Sequence, residues 1–273
     1  MTPVLILARQ EIKTGMRNFW VTAAVSLMIL FSLSLALLGN APGGEVSVGA
    51  LSVVTVSLAS LSIFLLPLIA LLLGHDAIVG EAERGTLMLT LSYPVTRGQF
   101  LMGKFLGHMG IIGFAVLMGY GAAALVVGLR SGAPGTDAIT AFAALVGSAL
   151  LMSAIFLALG YISSVLVKER ATAIGLAIGI WLIFVIIYDL LFLGLLVLAG
   201  ENLPSWLVTG LFFLNPADLF RLLNLTSTEA MALASGMGSA GTDIGHELLV
   251  LVMMLWLVAG LGGCWLIFRR KEL

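Results

Sequence analysis

The run Gly98-Gln99-Phe100-Leu101-Met102-Gly103-Lys104-Phe105 matches seven of the eight positions of a phosphate-binding loop. Such a loop cradles nucleotide phosphates in backbone amides, places its lysine on the outer phosphates and holds magnesium with a hydroxyl. Phe105 stands where the hydroxyl is required, no strand precedes the run, and Gly103, Gly107 and Gly110 continue into an apolar stretch. Those glycines are expected to allow close helix packing, and Lys104 to snorkel to an interface. Nucleotide chemistry therefore belongs to a separate subunit, and no cofactor is expected on this chain.

Four other sets of residues could carry chemistry. Asp189 is the one acid well inside an apolar run, where a charge costs about 2.5–3.5 kcal/mol on insertion scales. It is either part of a cargo path or gate, or a residue that sits close to the outer interface or bonds Tyr188 across a dimer seam. Trp181, Phe184, Tyr188 and Phe192 are the aromatics expected around it. Met231, Met237 and His246 offer the soft ligands that suit Cu(I), but without ligand spacing they define no metal site. His75 and His108 could approach one another, with hydrogen bonding or interface placement as the expected reason. Cys264 is expected to be a small packed residue.

The remaining chemistry-bearing segment is a polar insert, His75 to Arg97, between two apolar runs. Ala77 to Glu83 can form two helical turns, with Ile78, Val79 and Ala82 towards the bilayer and Gly85 ending them in a left-handed conformation. Thr86 is expected to cap a second short helix, Leu87 to Leu91, which Pro94 stops near Tyr93. Glu81, Glu83 and Arg84 are then presented to water on a rigid base, as a helix seated in a partner's cleft requires. An ordinary solvated loop would not carry Leu87, Met88, Leu89 and Leu91.

These segments are positioned by a chain that is 60% hydrophobic and 10% charged, with a mean hydropathy of +1.16. A water-soluble domain could not hide that much apolar surface. Six runs are long enough to cross a bilayer as helices: 20–38, 48–73, 100–129, 138–167, 171–199 and 248–268. They are continuous and rich in Leu, Ala and Gly, unlike the alternating strands of a barrel, so the expected fold is an all-α integral membrane protein forming one transmembrane domain. Residues 1–17 read as an interfacial lead-in helix, with Val4, Leu5, Ala8, Ile12 and Met16 on the apolar side and Arg9, Glu11, Lys13 and Arg17 elsewhere. The Ala41-Pro42 junction is a poor cleavage site, so the first run is expected to be retained. Gly175 and Gly179 are expected to mark helix packing.

Charge polarises the molecule although its net value is only -1. Arg9, Lys13, Arg17, Arg84, Arg97, Lys104, Lys168, Arg170, Arg269, Arg270 and Lys271 fall on one side of a six-span topology, with only Arg130 and Arg221 on the other. The positive-inside rule then makes both termini cytoplasmic in a multi-pass protein of the bacterial inner membrane. The outer side collects Glu45, Asp137, Glu201, Asp218, Glu229, Asp243 and Glu247, and no nucleic-acid partner is implied. The long outer segment 201–247 holds a short apolar stretch, Trp206 to Leu214, that reads as re-entrant or interfacial and ends at Asn215-Pro216. Asp218, or Thr226 and Ser227, can start further short helices, and 235–241 reads as flexible. The segment is expected to dock a periplasmic protein through Asp218, Arg221, Glu229, Met231 and Asp243.

Four blocks carry a family resemblance: Gly80-Glu81-x-Glu83-Arg84-Gly85-Thr86-Leu87, Leu91 to Gln99 with its Tyr93-Pro94, Gly103-Lys104-Phe105-Leu106-Gly107-His108, and Asn215-Pro216-Ala217-Asp218-Leu219-Phe220-Arg221. The sequence resembles the permease subunits of type 2 ATP-binding-cassette exporters. Within them it is similar to the branch that serves copper-site maturation of nitrous-oxide reductase. The resemblance implies a homodimer in the lipid bilayer. It implies a cytosolic ATPase, which carries ATP and magnesium, bound at Ile78, Val79, Glu81, Glu83, Arg84, Gly85, Thr86 and Leu87. It also implies a periplasmic copper-handling β-helical partner. Export of a drug, lipid or glycan by the same fold is the alternative. An intramembrane enzyme lacks paired acids, a metal motif or a nucleophile with its base, and a proton-coupled carrier would need more buried charge than Asp189.

Overall fold

Backbone groups inside hydrocarbon must bond within their own segment, and long Leu- and Ala-rich runs do so only as helices. The computed structural model describes residues 2–17, 19–38, 50–132, 134–199, 204–225 and 244–271, and every regular element among them is helical. In chain order these are α1 (Pro3–Gly15), α2 (Phe19–Leu38), α3 (Ala50–Gly74), α4 (Val79–Glu83), α5 (Thr86–Ser92), α6 (Arg97–Ser131) and α7 (Thr136–Leu166). There follow α8 (Arg170–Leu182), a π-helical turn (Ile183–Ile187), α9 (Tyr188–Ala199), α10 (Ser205–Phe213), α11 (Pro216–Leu225) and α12 (His246–Arg270). Among the described residues six helical stretches are long and apolar enough to cross a membrane, with α8, the π turn and α9 counting as one. The shorter α10 and α11 form a pair bent by 110°.

Burial within the chain ranks these spans. In α7, 56% of the most apolar window is buried, against 6% in Arg170–Ala199, so α7 is the axis of the bundle and α8–α9 its periphery. α3 packs most extensively on α7, and they meet where neither has a side chain: a Cβ on Gly74 would lie 2.9 Å from the Leu157 carbonyl oxygen and 3.0 Å from the Gly160 Cα. Hydroxyls on α3 satisfy themselves by bonding back one turn, Thr55 to Leu51 O at 2.8 Å and Ser57 to Val53 O at 3.0 Å, which lets them sit in an apolar helix. Gly175 and Gly179, expected to mark packing, meet no other atom within 4 Å of an added Cβ, because their face of α8 points away from the bundle.

α1 lies along the start of α6. Added Cβ atoms at Gly103 and Gly107 would fall 2.6 Å from Leu7 Cβ and 2.5 Å from Glu11 Cβ, so only glycine allows this approach. Thr96 and Gln99 close a reciprocal capping box at the start of α6, at 3.2 and 3.0 Å. Arg97 Nη1 donates to the Phe268, Arg269 and Lys271 carbonyls at 2.6, 3.0 and 2.9 Å, and Lys271 Nζ to Val165 and Val167 at 2.8 and 2.9 Å. Cations thus terminate both α12 and α7, where free carbonyls and the helix dipole favour them.

Candidate functional site

The insert between α3 and α6 is local in origin and tertiary in orientation. Gly85 adopts φ 70°, the left-handed conformation expected of it, and separates α4 from α5. Thr86 does not cap α5. Gly85 is the N-cap, and the Thr86 hydroxyl, already inside the helix, donates to the Glu81 carboxylate at 2.5 Å. α5 ends at Ser92, ahead of Tyr93 and Pro94. Ile78 and Val79 do not face the bilayer. Both are fully buried, and their amides each donate to Ser164 Oγ of α7 at 2.9 Å, while Ala82 is exposed. Leu87 is buried beside them at 1% exposure, and Met88 and Leu89 are exposed.

Glu81 also turns inward rather than to water. Lys104 Nζ lies 3.0 Å from Glu81 Oε1 and 2.8 Å from Glu11 Oε2 of α1, with the lysine side chain only 6% exposed. Lys104 does not snorkel, because α1 covers the glycine face of α6 and supplies a carboxylate there. His108 continues the chain: its Nε2 is 3.0 Å from Glu11 Oε1 and its Nδ1 2.7 Å from the buried Tyr161 hydroxyl of α7. Five side chains from α4, α1, α6 and α7 therefore form one connected polar path, Glu81–Lys104–Glu11–His108–Tyr161. Burial alone would raise the Glu11 carboxyl, but the His108 hydrogen bond and the Lys104 charge outweigh it and hold the group at about 2. His75 does not join His108; its Nδ1 is 2.7 Å from the Leu72 carbonyl of α3, the helix it follows.

Glu83 and Arg84 are exposed, but they too are engaged. Glu83 Oε1 accepts the Arg170 amide at 2.8 Å, satisfying a free N–H at the start of α8. Arg170 grips Asp76 at 2.7 and 2.8 Å, and Arg84 lies 3.7 Å from the same carboxylate. The insert is consequently fastened to α6, α7 and α8 at once, and through Lys104 to α1. Sequence reasoning missed Glu11 as an anchor by grouping it with the exposed cations. The available signal was spacing, since Val4, Leu7, Ala8 and Glu11 fall on one helical stripe.

A second polar cluster surrounds Asp189. Arg221 of α11 donates to both its oxygens, at 3.2 and 2.6 Å, and to Asp218 at 2.8 Å. Asp218 is 1% exposed and the Arg221 side chain 21%, so these two residues, expected on a docking surface, instead hold the α10–α11 hairpin against the α9 span. Asn215 makes the corner: its Oδ1 accepts the Ala217 amide at 3.0 Å, and its Nδ2 donates to Asp218 at 2.9 Å and to the Phe184 carbonyl at 2.8 Å. Phe184 lies in the π turn, where the wider spacing shifts the backbone hydrogen-bond register. The aromatics disperse rather than surround Asp189: Trp181 donates to Phe64 O at 3.0 Å, Tyr188 to Leu211 O at 2.6 Å, and Phe192 rests edge-on against Phe212.

Glu45, Glu201, Thr226, Ser227, Glu229, Met231, Met237 and Asp243, with the Ala41-Pro42 junction and the 235–241 stretch, lie outside the described residues. Among the described residues no three His, Cys, Asp or Glu side chains converge as a metal site. Cys264 is fully buried.

A sequence model described as ABC-2 family transporter protein matches residues 5–273. The chain is 42% identical over 274 residues to the probable ABC transporter permease protein NosY of Stutzerimonas stutzeri, covering 99% of each. It is 42% identical over 276 residues to the protein of the same name from Pseudomonas aeruginosa, covering 100% of each.

Proposed function

This chain belongs to the ABC-2 family of transporter permeases, and from that premise we propose that it passes the motion of a separate cytosolic ATPase to its spans during copper-site maturation of nitrous-oxide reductase. It acts as a homodimer in the bacterial inner membrane, with both termini cytoplasmic. The ATPase, a NosF-like subunit carrying ATP and magnesium, docks on α4 and α5. A NosD-like copper-handling β-helical protein docks on the opposite face. The full-length identity to proteins named NosY supports the cargo half of this reading.

The observation that carries the mechanical half is the fastening of the insert. A plain loop would yield to a push. Here a force on α4 reaches Lys104 of α6 and Glu11 of α1 through ion pairs, and Ser164 of α7 through two backbone amides. Exposed Met88 and Leu89 on α5, with Tyr93 just beyond its end, offer the apolar contact that a partner cleft requires.

Affinity purification of the chain tagged at Leu273, from its native membrane in mild detergent, followed by mass spectrometry, tests the reading. Recovery of a cytosolic ATPase together with a periplasmic copper-handling protein supports it. An ATPase alone points to export of a drug, lipid or glycan, and recovery of neither sinks the mechanical half as well.

A further inference from the structure

We propose that Arg9, Lys13 and Arg17 of the α1 segment form a docking row for anionic phospholipid headgroups of the leaflet on which α1 lies.

At about 100° per residue, Val4, Leu7, Ala8 and Glu11 share the stripe that packs on α6. The same rotation places Leu5, Ile12 and Met16 on one flank and Gln10 and Thr14 on the other. Arg9 and Lys13, spaced four apart, run between them along the outward side, and the exposed Arg17 follows just beyond the end of α1. All three are exposed, and none makes an ion pair with a described residue. The acid of this helix, Glu11, is consumed by Lys104 and His108 on the opposite side, so the outward field of α1 is purely cationic.

Membrane rather than protein is the favoured occupant because of what adjoins the row. Leu5, Ile6 and Met16 are 52%, 52% and 51% exposed, and Phe19 78%. Side chains of this kind beside a row of cations match the interface between acyl chains and headgroups. Position follows from connectivity. α1 ends at Gly15 and α2, a candidate span, begins at Phe19, so the link can reach no more than about 14 Å. The Thr22 hydroxyl also bonds the Met16 carbonyl at 3.4 Å across it. α1 therefore stays at the mouth of a span, where anionic headgroups supply the missing negative charge.

The test compares phosphatidylglycerol with phosphatidylcholine binding to the purified full chain by native mass spectrometry. Simply deleting the cations would disturb insertion, so they are transposed: Arg9→Gln with Gln10→Arg, and Lys13→Thr with Thr14→Lys, which keeps the charge while moving it to the other flank. Wild type is expected to prefer phosphatidylglycerol, with the preference falling as salt rises from about 0.05 to about 0.5 M. The transposed variant should lose roughly fivefold or more of that preference. Lys168→Gln with Arg270→Gln, which removes exposed cations elsewhere, should retain it. Undiminished preference in the transposed variant, as expected if the row faces an acidic protein surface, overturns the proposal. So does an equal loss in the Lys168 and Arg270 variant. Lipid binding requires no ATPase, so this result stands apart from the purification result above.

Discussion

Lys104 and Glu81 stand 3.0 Å apart, an ammonium from a long apolar helix against a carboxylate from the short polar insert. The contact joins the segment best suited to meet a partner to the helix most tightly clasped by α1. Because Lys104 also holds Glu11 at 2.8 Å, its loss would take from two carboxylates the cation they share.

Lys104→Met is expected to destabilise the protein by about 3–5 kcal/mol, the range found when one partner of a buried ion pair is removed. Glu81→Gln should cost less, since Glu11 still pairs with the lysine. A double-mutant cycle in SDS-induced unfolding checks the ranking. Additive effects would mean that the pair carries no coupling.

Glu11 is held at about 2 against an ordinary 4.5, so its ionised form is favoured in the folded state. Its contribution is fully present above about 4.5 and is lost as pH falls from there towards 2. Lys104, His108 and Tyr161 are the titratable groups around it. Melting temperatures measured from pH 6 downward should fall more steeply for wild type than for Glu11→Gln. Parallel curves would remove Glu11 from the acid response.

Gly107→Ala places a methyl 2.5 Å from Glu11 Cβ and 3.0 Å from the Ala8 carbonyl, and should cost about 1–3 kcal/mol by forcing α1 off α6. Gly121→Ala, on the same helix with nothing within 4 Å, should be neutral or stabilising by up to about 1 kcal/mol. Thermal unfolding of the two variants separates close approach from helix propensity.

Arg221→Met strands Asp189 and Asp218 together and is expected to cost about 3–5 kcal/mol. Asp189→Asn leaves Arg221 its 2.8 Å contact with Asp218 and should cost about 1–2 kcal/mol. Limited proteolysis near Trp206 would report release of the α10–α11 hairpin. If Asp189→Asn also leaves the proposed ATP-coupled maturation unchanged, Asp189 has no proton or cargo role and serves the hairpin alone.

Composition and run length determine by themselves that this is an all-α membrane protein with six long apolar helices, because a bilayer admits few other solutions for such runs. Local chemistry likewise determines that Gly85 breaks the insert and that α5 stops before Pro94, since φ > 0 and pre-proline restriction act within a residue or two. Only the tertiary structure decided which way the polar side chains turn. Glu81 and Glu83 have similar sequence surroundings, yet one meets Lys104 inside and the other caps α8. Asp189 and Arg221 read as an isolated charge and a docking residue until the 110° bend of α10–α11 brings them to 2.6 Å. Hydropathy and propensity report the environment of a segment averaged over several residues. An ion pair is decided by the packing of helices distant in sequence, and a rotation of one residue about a helix axis is enough to exchange its partner for water.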